Sequence, residues 1–311
     1  MYKAITGTVP ALITPMDERG DILTALAEPL IDYYVGEEAD GLYMLGWTGE
    51  GMSLAVERRR LWAEAVLRAS KDRLPVFVHV GYNKNPDDSV GLARHAAEHG
   101  AYAVASVGLP GASLEANVEY FRRISEAAPH VPFYIYWVSA NPFTSGGEKV
   151  GVTQMLEAMK AVPTFKGIKF TDNDFFTLER FKKHAPGLNI LTGADELAVC
   201  SLLMGADGNI GSLQAVTCYH YKQIQKLVEQ GKYREARELQ YRANNFSEAY
   251  GPKHIGSLPA IKMILERIHG IPAGYCAAGS PYIPRITDEA VIAELLSIYR
   301  ENILVKTGIT P

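Results

Sequence analysis

The chain has 311 residues, 47% of them hydrophobic, and a formal net charge of -4. That supports one large core, or a core with a small appendix, and it supplies no basic field for nucleic acid. No apolar run approaches the ~20 residues needed to cross a bilayer. The N-terminus lacks the charged-then-apolar signature of a signal peptide, and three widely spaced cysteines (Cys200, Cys218, Cys276) predict reduced core thiols in a cytoplasmic protein.

In chain order, short apolar segments predict strands at 9–14, 41–45, 75–80, 101–104, 133–136, 165–169, 189–191 and 208–211. Between them run helical patterns such as 54–70, 86–100, 113–128 and 174–184. Alternating strand and helix requires parallel strands joined by crossover helices. Eight such units over about 215 residues match an α/β architecture, the TIM (β/α)8 barrel, whose usual size is roughly 250 residues. A doubly wound sheet is the competing topology, but no Gly-x-Gly-x-x-Gly follows the first strand. After Gly211 the strand signals stop. Helices are predicted at 214–230, 232–250, 258–269 and 288–300, punctuated by Gly231, Gly251-Pro252 and Gly270-Ile271-Pro272. The expected division is a barrel over 1–230 and a C-terminal helical appendix over 231–311.

Barrel chemistry sits at the C-terminal ends of the strands. The second strand delivers Gly46-Trp47-Thr48-Gly49-Glu50 and the fifth delivers Tyr136. The sixth delivers Lys169 and Thr171, the seventh Gly193-Ala194-Asp195-Glu196, and the eighth Gly211-Ser212. Lys169 carries most information. A lysine ending an apolar strand and held in a partly desolvated pocket loses basicity, and its neutral amine can form a Schiff base with a ketone. A lone lysine at a strand end is ordinarily a surface residue, so the argument rests on its company. A tyrosine hydroxyl beside the amine can relay protons, although a lone Tyr136 would only fill the barrel. The glycines of the 46–50 loop let backbone N–H groups face an anion, here a carboxylate. Asp195 and Glu196 precede a helix; they either cap it or recognise a polyhydroxylated substrate tail.

Two other groupings carry less. His95 and His99 lie four apart on a helix, but no glutamate pairs with them as in His-Glu-x-x-His, so no metal is assigned. His79 ends the third strand and receives no role. Arg58-Arg59-Arg60, flanked by Glu57 and Glu64, reads as a solvated helix face.

In their order and spacing these residues resemble the N-acetylneuraminate lyase and dihydrodipicolinate synthase family over nearly the whole chain. Ala11-Leu12-Ile13-Thr14-Pro15 is similar to the family's first strand and the 46–50 loop to its pyruvate-carboxylate loop. Tyr136 matches the proton-relay tyrosine, and Gly167-Ile168-Lys169 the Schiff-base lysine. Gly205-Ala206-Asp207-Gly208-Asn209-Ile210-Gly211-Ser212 resembles the eighth-strand signature, and Leu258-Pro259-Ala260-Ile261-Lys262 the C-terminal helix. Lys169-Phe170-Thr171, with Asp172-Asn173-Asp174 after it, is similar to the sialic acid lyase form. The resemblance implies that Asp195 and Glu196 bind the glycerol tail of a sugar acid. It places Trp47, Thr48, Thr171, Gly193, Gly211 and Ser212 among substrate contacts, and it implies a homotetramer.

The chain departs from that pattern in four places. Trp47 replaces a small hydroxyl residue, adding volume that narrows the pocket or stacks on a substrate. The segment 106–111 (Ser106-Val107-Gly108-Leu109-Pro110-Gly111) replaces a tyrosine-bearing loop, removing one member of the proton relay. Trp137-Val138-Ser139-Ala140 replaces Asn-x-Pro, and Gly211-Ser212-Leu213-Gln214 lacks an aromatic residue.

The expected activity is that of a class I pyruvate aldolase, with N-acetylneuraminate giving pyruvate and N-acetylmannosamine. The covalent lysine imine serves as electron sink, and no cofactor is called for. The partner is a small-molecule 2-keto acid. Two alternatives stand beside it. One is a 2-keto-3-deoxy sugar acid aldolase or dehydratase using the same imine. The other is a non-catalytic barrel that binds sugar acids.

Overall fold

A computed structural model describes residues 3–82, 85–138, 144–145, 148–250 and 255–304. The main sheet is parallel throughout. Leu42–Met44 pairs with Val76–His79, and the order continues through Ala103–Ser106, Phe133–Val138, Phe165–Thr171 and Asn189–Thr192 to Gly208–Asn209. The first strand comes in two pieces. Gly7–Thr8 pairs with Gly208–Asn209, and Ala11–Leu12 pairs with Leu42–Met44. One continuous segment thus touches both ends of the sheet and closes it into a TIM barrel.

The interruption falls at Pro10, which has no N–H to give the ladder. Its neighbours Val9 and Ala11 donate to the carbonyls of Asn209 and Gly211 at 2.8 and 3.0 Å, and its own carbonyl accepts from Tyr43 at 3.0 Å. The first strand therefore starts earlier than the expected 9–14 and never runs as one piece. Closure also explains a glycine. A Cβ on Gly208 would lie 2.1 Å from the Gly7 carbonyl oxygen, so only glycine lets the last strand meet the first.

The strands alternate with helices α1 (Ala27–Gly36), α2 (Val56–Ser70), α3 (Pro86–Glu98), α4 (Leu114–Ala127), α5 (Val152–Ala158), α6 (Phe175–His184), α7 (Ala198–Leu203) and α8 (Gln214–Glu229). Their starts are written locally. Asn85, Ser113 and Asp174 accept from the N–H groups of Asp87, Ala116 and Thr177 at the heads of α3, α4 and α6; each cap contributes ~1 kcal/mol. Lys182, Lys183 and His184 fill the last turn of α6, where positive charge meets the helix dipole. Beyond the barrel come α9 (Tyr233–Tyr250), α10 (Ser257–Arg267) and α11 (Glu289–Tyr299). Gly251 and Pro252, expected as punctuation, lie outside the described residues.

Two apolar layers follow. Val9, Tyr43, Phe77, Ala103, Ala105, Tyr134, Leu191 and Ile210 fill the barrel interior. A larger cluster joins the outer barrel face to the helices. Tyr134, inside, hands its hydroxyl proton to Asn189 Oδ1 at 2.7 Å, and Asn189 donates to the Ile5 carbonyl at 3.0 Å, so the inner layer buries no idle amide there. All three cysteines are free. Cys218 and Cys276 are buried as expected, but Cys200 is exposed. It lies on the outward side of α7, whose inner face is carried by the buried Ala198, Val199 and Ser201.

Candidate active site

Strand register brings the chemistry together. Tyr136, Lys169 and Leu191 are direct partners across the fifth, sixth and seventh strands. The Lys169 side chain points into the barrel mouth. Its Nζ sits 4.0 Å from the centre of the Tyr43 ring and 4.2 Å from that of Tyr136. Two aromatic faces attract an ammonium, yet desolvation is the larger influence. Burial pulls the lysine down to about 7, with the nearby Asp195 charge opposing the fall. Near pH 7 a large share of this amine is neutral and nucleophilic.

Facing it is the loop after the second strand. Thr48 is buried, and its hydroxyl meets that of Ser212 at 2.5 Å, joining the ends of the second and eighth strands. The N–H groups of Glu50 and Gly51 turn back onto the carbonyls of Trp47 and Gly46. Those of Trp47, Thr48 and Gly49 meet no acceptor among the described residues. The loop is anchored from behind by Glu50, in the left-handed region at φ 56°. Its carboxylate pairs with Lys262 Nζ of α10 at 2.8 Å and accepts from the Ala277 N–H at 2.5 Å. Lys262 also donates to the carbonyls of Thr14 and Tyr275, at 2.8 and 2.5 Å. Trp47 turns outward instead. It is 42% exposed, and its indole N–H donates to the Tyr282 hydroxyl at 2.7 Å.

Tyr136 is buried beside Lys169. Burial raises its pKa, while the Thr171 and Tyr82 hydroxyls pull it back and the nearby Tyr282 raises it further. Thr171 Oγ1 is buried without a hydrogen-bond partner among the described residues. Gly193 makes room for it, since a Cβ there would lie 1.9 Å from Thr171 Oγ1.

Asp195 is nearly fully buried. It accepts from the Leu213 N–H at 2.8 Å and from Gln214 Nε2 at 3.1 Å. Asp195 therefore does not cap the helix that follows it in sequence; its carboxylate is held at the head of α8 instead. A Cβ on Gly211 would lie 1.6 Å from Asp195 Oδ1, so Gly211 is the space into which this carboxylate packs. Burial, and then the Glu196 charge, lift Asp195 to about 7. Glu196 is exposed, its carboxylate accepting from Ser247 Oγ at 3.0 Å.

Known proteins resemble this chain in sequence and fold. The description of the dihydrodipicolinate synthetase family matches residues 4–291. The chain belongs to the dihydrodipicolinate synthetase family. It is 32% identical over 280 residues to N-acetylneuraminate lyase of Mus musculus, covering 88% of this chain and 86% of that one. With the N-acetylneuraminate lyase of Salmonella paratyphi A it shares 27% over 304 residues, 97% of this chain and 98% of the other. The Ruminococcus gnavus sialic acid aldolase, solved as wild type, superposes with a TM-score of 0.86 at 26% identity, covering 96% of this chain and 100% of that chain.

As a member of the dihydrodipicolinate synthetase family the chain shows features that sequence reading missed or misjudged. Tyr43, which forms half of the aromatic slot around Lys169, was hidden as one apolar letter of the second strand. Tyr82 lies just beyond the third strand, and nothing local distinguishes it. His79 is fully buried, bonded through Nδ1 to the Tyr43 hydroxyl at 2.8 Å. Arg59 corrects the expectation of a solvated face. It is 0% exposed, and its guanidinium donates to the carbonyls of His79 and Gly81 at 2.7 and 2.8 Å. Three consecutive arginines cannot all face water on a helix with 3.6 residues per turn, and Arg59 is the one turned inward.

A glutamate does pair with the histidines: Glu64 of α2 meets His95 Nε2 at 2.8 Å. Ligand atoms of Glu64, His95 and His99 lie within 4.8 Å of one another on the outside of the barrel. His99 Nδ1 donates to the His95 carbonyl. Among the departures, Trp137 is buried with its indole N–H on Asp172 Oδ2 at 3.1 Å, while Ser139 and Ala140 lie outside the described residues. A cleft of about 710 Å³ between α5, α6 and the foot of the sixth strand lies away from Lys169. Chemistry, not cavity size, marks the site.

Proposed function

We propose that this protein cleaves N-acetylneuraminate to pyruvate and N-acetylmannosamine through an imine on Lys169. The observation that carries the reading is a buried lysine amine lowered to about 7 and stacked against Tyr136. The neutral amine adds to the C2 ketone of the open-chain sugar acid, and water leaves to give a protonated imine. That cation draws the electron pair of the breaking C3–C4 bond. The C4 hydroxyl proton passes to the substrate carboxylate, directly or through Tyr136, which takes it up as it passes its own phenol proton on; the C4 oxygen becomes the aldehyde of the leaving sugar, and an enamine remains on Lys169. Protonation at C3 and addition of water then release pyruvate and restore the amine. The imine is the electron sink, so the step calls for neither metal nor nucleotide.

The substrate carboxylate goes to Thr48, Ser212 and the free N–H groups of the 46–50 loop, with Trp47 contributing backbone and Gly211 space. The family resemblance assigns Thr171, Gly193, Asp195 and Glu196 to the sugar tail. The names of the relatives and the Asp195-Glu196 pair support N-acetylneuraminate as substrate. We propose a cytoplasmic homotetramer, in keeping with the free cysteines and the family resemblance. No helix among the described residues is long and apolar enough to cross a membrane. Sedimentation equilibrium should read four chain masses, and a stable monomer at micromolar concentration excludes the tetramer.

The test is pyruvate release from N-acetylneuraminate, read with lactate dehydrogenase, for wild type and Lys169→Ala. Release by the wild type alone is expected; turnover by the alanine variant sinks the imine mechanism. A second reading, aldol cleavage or dehydration of a shorter 2-keto-3-deoxy sugar acid, is favoured by the bond from Trp47 to Tyr282, which ties the carboxylate loop to the C-terminal segment. Borohydride trapping of an imine without pyruvate release would select it.

A further inference from the structure

We infer that Tyr82 is the positioning residue for Tyr136, its hydroxyl donating to the Tyr136 oxygen and holding that oxygen beside the Lys169 amine while Tyr136 exchanges its proton. The inference rests on Tyr136 acting in imine chemistry.

Several independent features place Tyr82 there. Its backbone has φ 69°, a left-handed conformation that a bulky residue adopts only when its surroundings impose it. The surroundings are built for this. The buried Arg59 guanidinium holds the carbonyls of His79 and Gly81, on either side of Val80. Val80 donates to the Ala105 carbonyl at 2.8 Å, tying the turn to the fourth strand. Gly81 has no space for a side chain: a Cβ would lie 2.6 Å from Ser106 Oγ and 2.9 Å from His79 Nε2. The next residue is thereby thrown inward, with the Tyr82 ring 4.4 Å from that of His79. His79 in turn stands edge-on to Tyr136 at 5.6 Å. At the end of this chain Tyr82 and Tyr136 flank the same His79 ring, and the Tyr82 hydroxyl favours the ionised form of Tyr136.

The direction of the bond sets the chemistry. A donor to the Tyr136 oxygen stabilises that oxygen when it has lost its proton. The groups that face Tyr136 are Tyr82, Thr171, Tyr282, Lys169, Tyr43 and His79. His79 is held neutral by burial and by the Arg59 and Lys169 charges, so it does not titrate against Tyr136 in the working range. The Arg59 charge acts on Tyr82 and opposes the rise that burial causes. Tyr82 keeps its own proton throughout.

The experiment compares Tyr82→Phe, Tyr82→Leu and wild type, all as full chain, in pyruvate release from N-acetylneuraminate and in borohydride trapping with pyruvate. Loss of the hydroxyl should lower kcat ~10–100-fold, up to the lower bound of a full general acid–base effect because Tyr82 acts through Tyr136, with KM within about twofold and imine trapping retained. It should also move the alkaline limb of the kcat profile to higher pH, because Tyr136 loses a group that stabilises its ionised form. Where the wild type traps the imine but releases no pyruvate, the same comparison is made on exchange of the pyruvate methyl hydrogens with deuterated solvent, which needs the imine and not the sugar acid. A phenylalanine variant with wild-type kcat and an unmoved limb, beside a defective leucine variant, shows a packing role only and overturns the inference. A wild type that traps no imine overturns the reading of Lys169 and this inference with it.

Discussion

At Lys169 two influences oppose each other. Burial among Tyr43, Tyr136 and the backbone of Gly46 disfavours the ammonium, and the Asp195 carboxylate favours it. The balance near 7 leaves a large share of the amine neutral at pH 7. Asp195→Asn removes the charge that raises the lysine, so the amine should lose its proton at lower pH. The midpoint for borohydride trapping with pyruvate, which avoids the sugar tail, should then fall below that of the wild type. A midpoint that stays or rises contradicts the assignment. The lysine was legible in sequence because strand, position and residue type coincide. The strength of its perturbation was not, because Tyr43 and Asp195 come from other strands.

At the scale of elements, the 46–50 loop works because it is held from outside the barrel. Glu50 and Lys262 are each only 2% exposed at the side chain, and they join the loop to α10. Breaking a buried pair by removing one partner strands the other charge and costs ~3–5 kcal/mol. Lys262→Met should lower the denaturation midpoint accordingly, and a second change, Glu50→Gln, should recover part of the loss because it removes the stranded carboxylate. Equal stability of wild type and Lys262→Met would show the pair to be idle. Sequence spacing offered the loop and the helix separately. Their union spans 212 positions, and no local pattern encodes it. The same holds for Arg59, whose helix reads as solvated until the third-strand turn is laid against it.

For the molecule as a whole, the repeated switch from period-2 to period-3.6 patterning determined the strand and helix order, and with it a barrel whose chemistry gathers at one end. Side-chain chemistry at strand ends selected Lys169, Tyr136 and Thr48 without any structure, because the fold puts every strand end in one place. What tertiary structure alone decided was orientation and partnership. It turned Trp47 out to Tyr282, packed Asp195 under Gly211 at the head of α8, and set Tyr82 against the His79 ring from a turn with no distinguishing sequence. Periodicity is a local property and survives in one dimension. Which way a loop residue turns depends on backbone clamps and glycine clearances contributed by segments far apart in the chain, and these exist only once the barrel has closed.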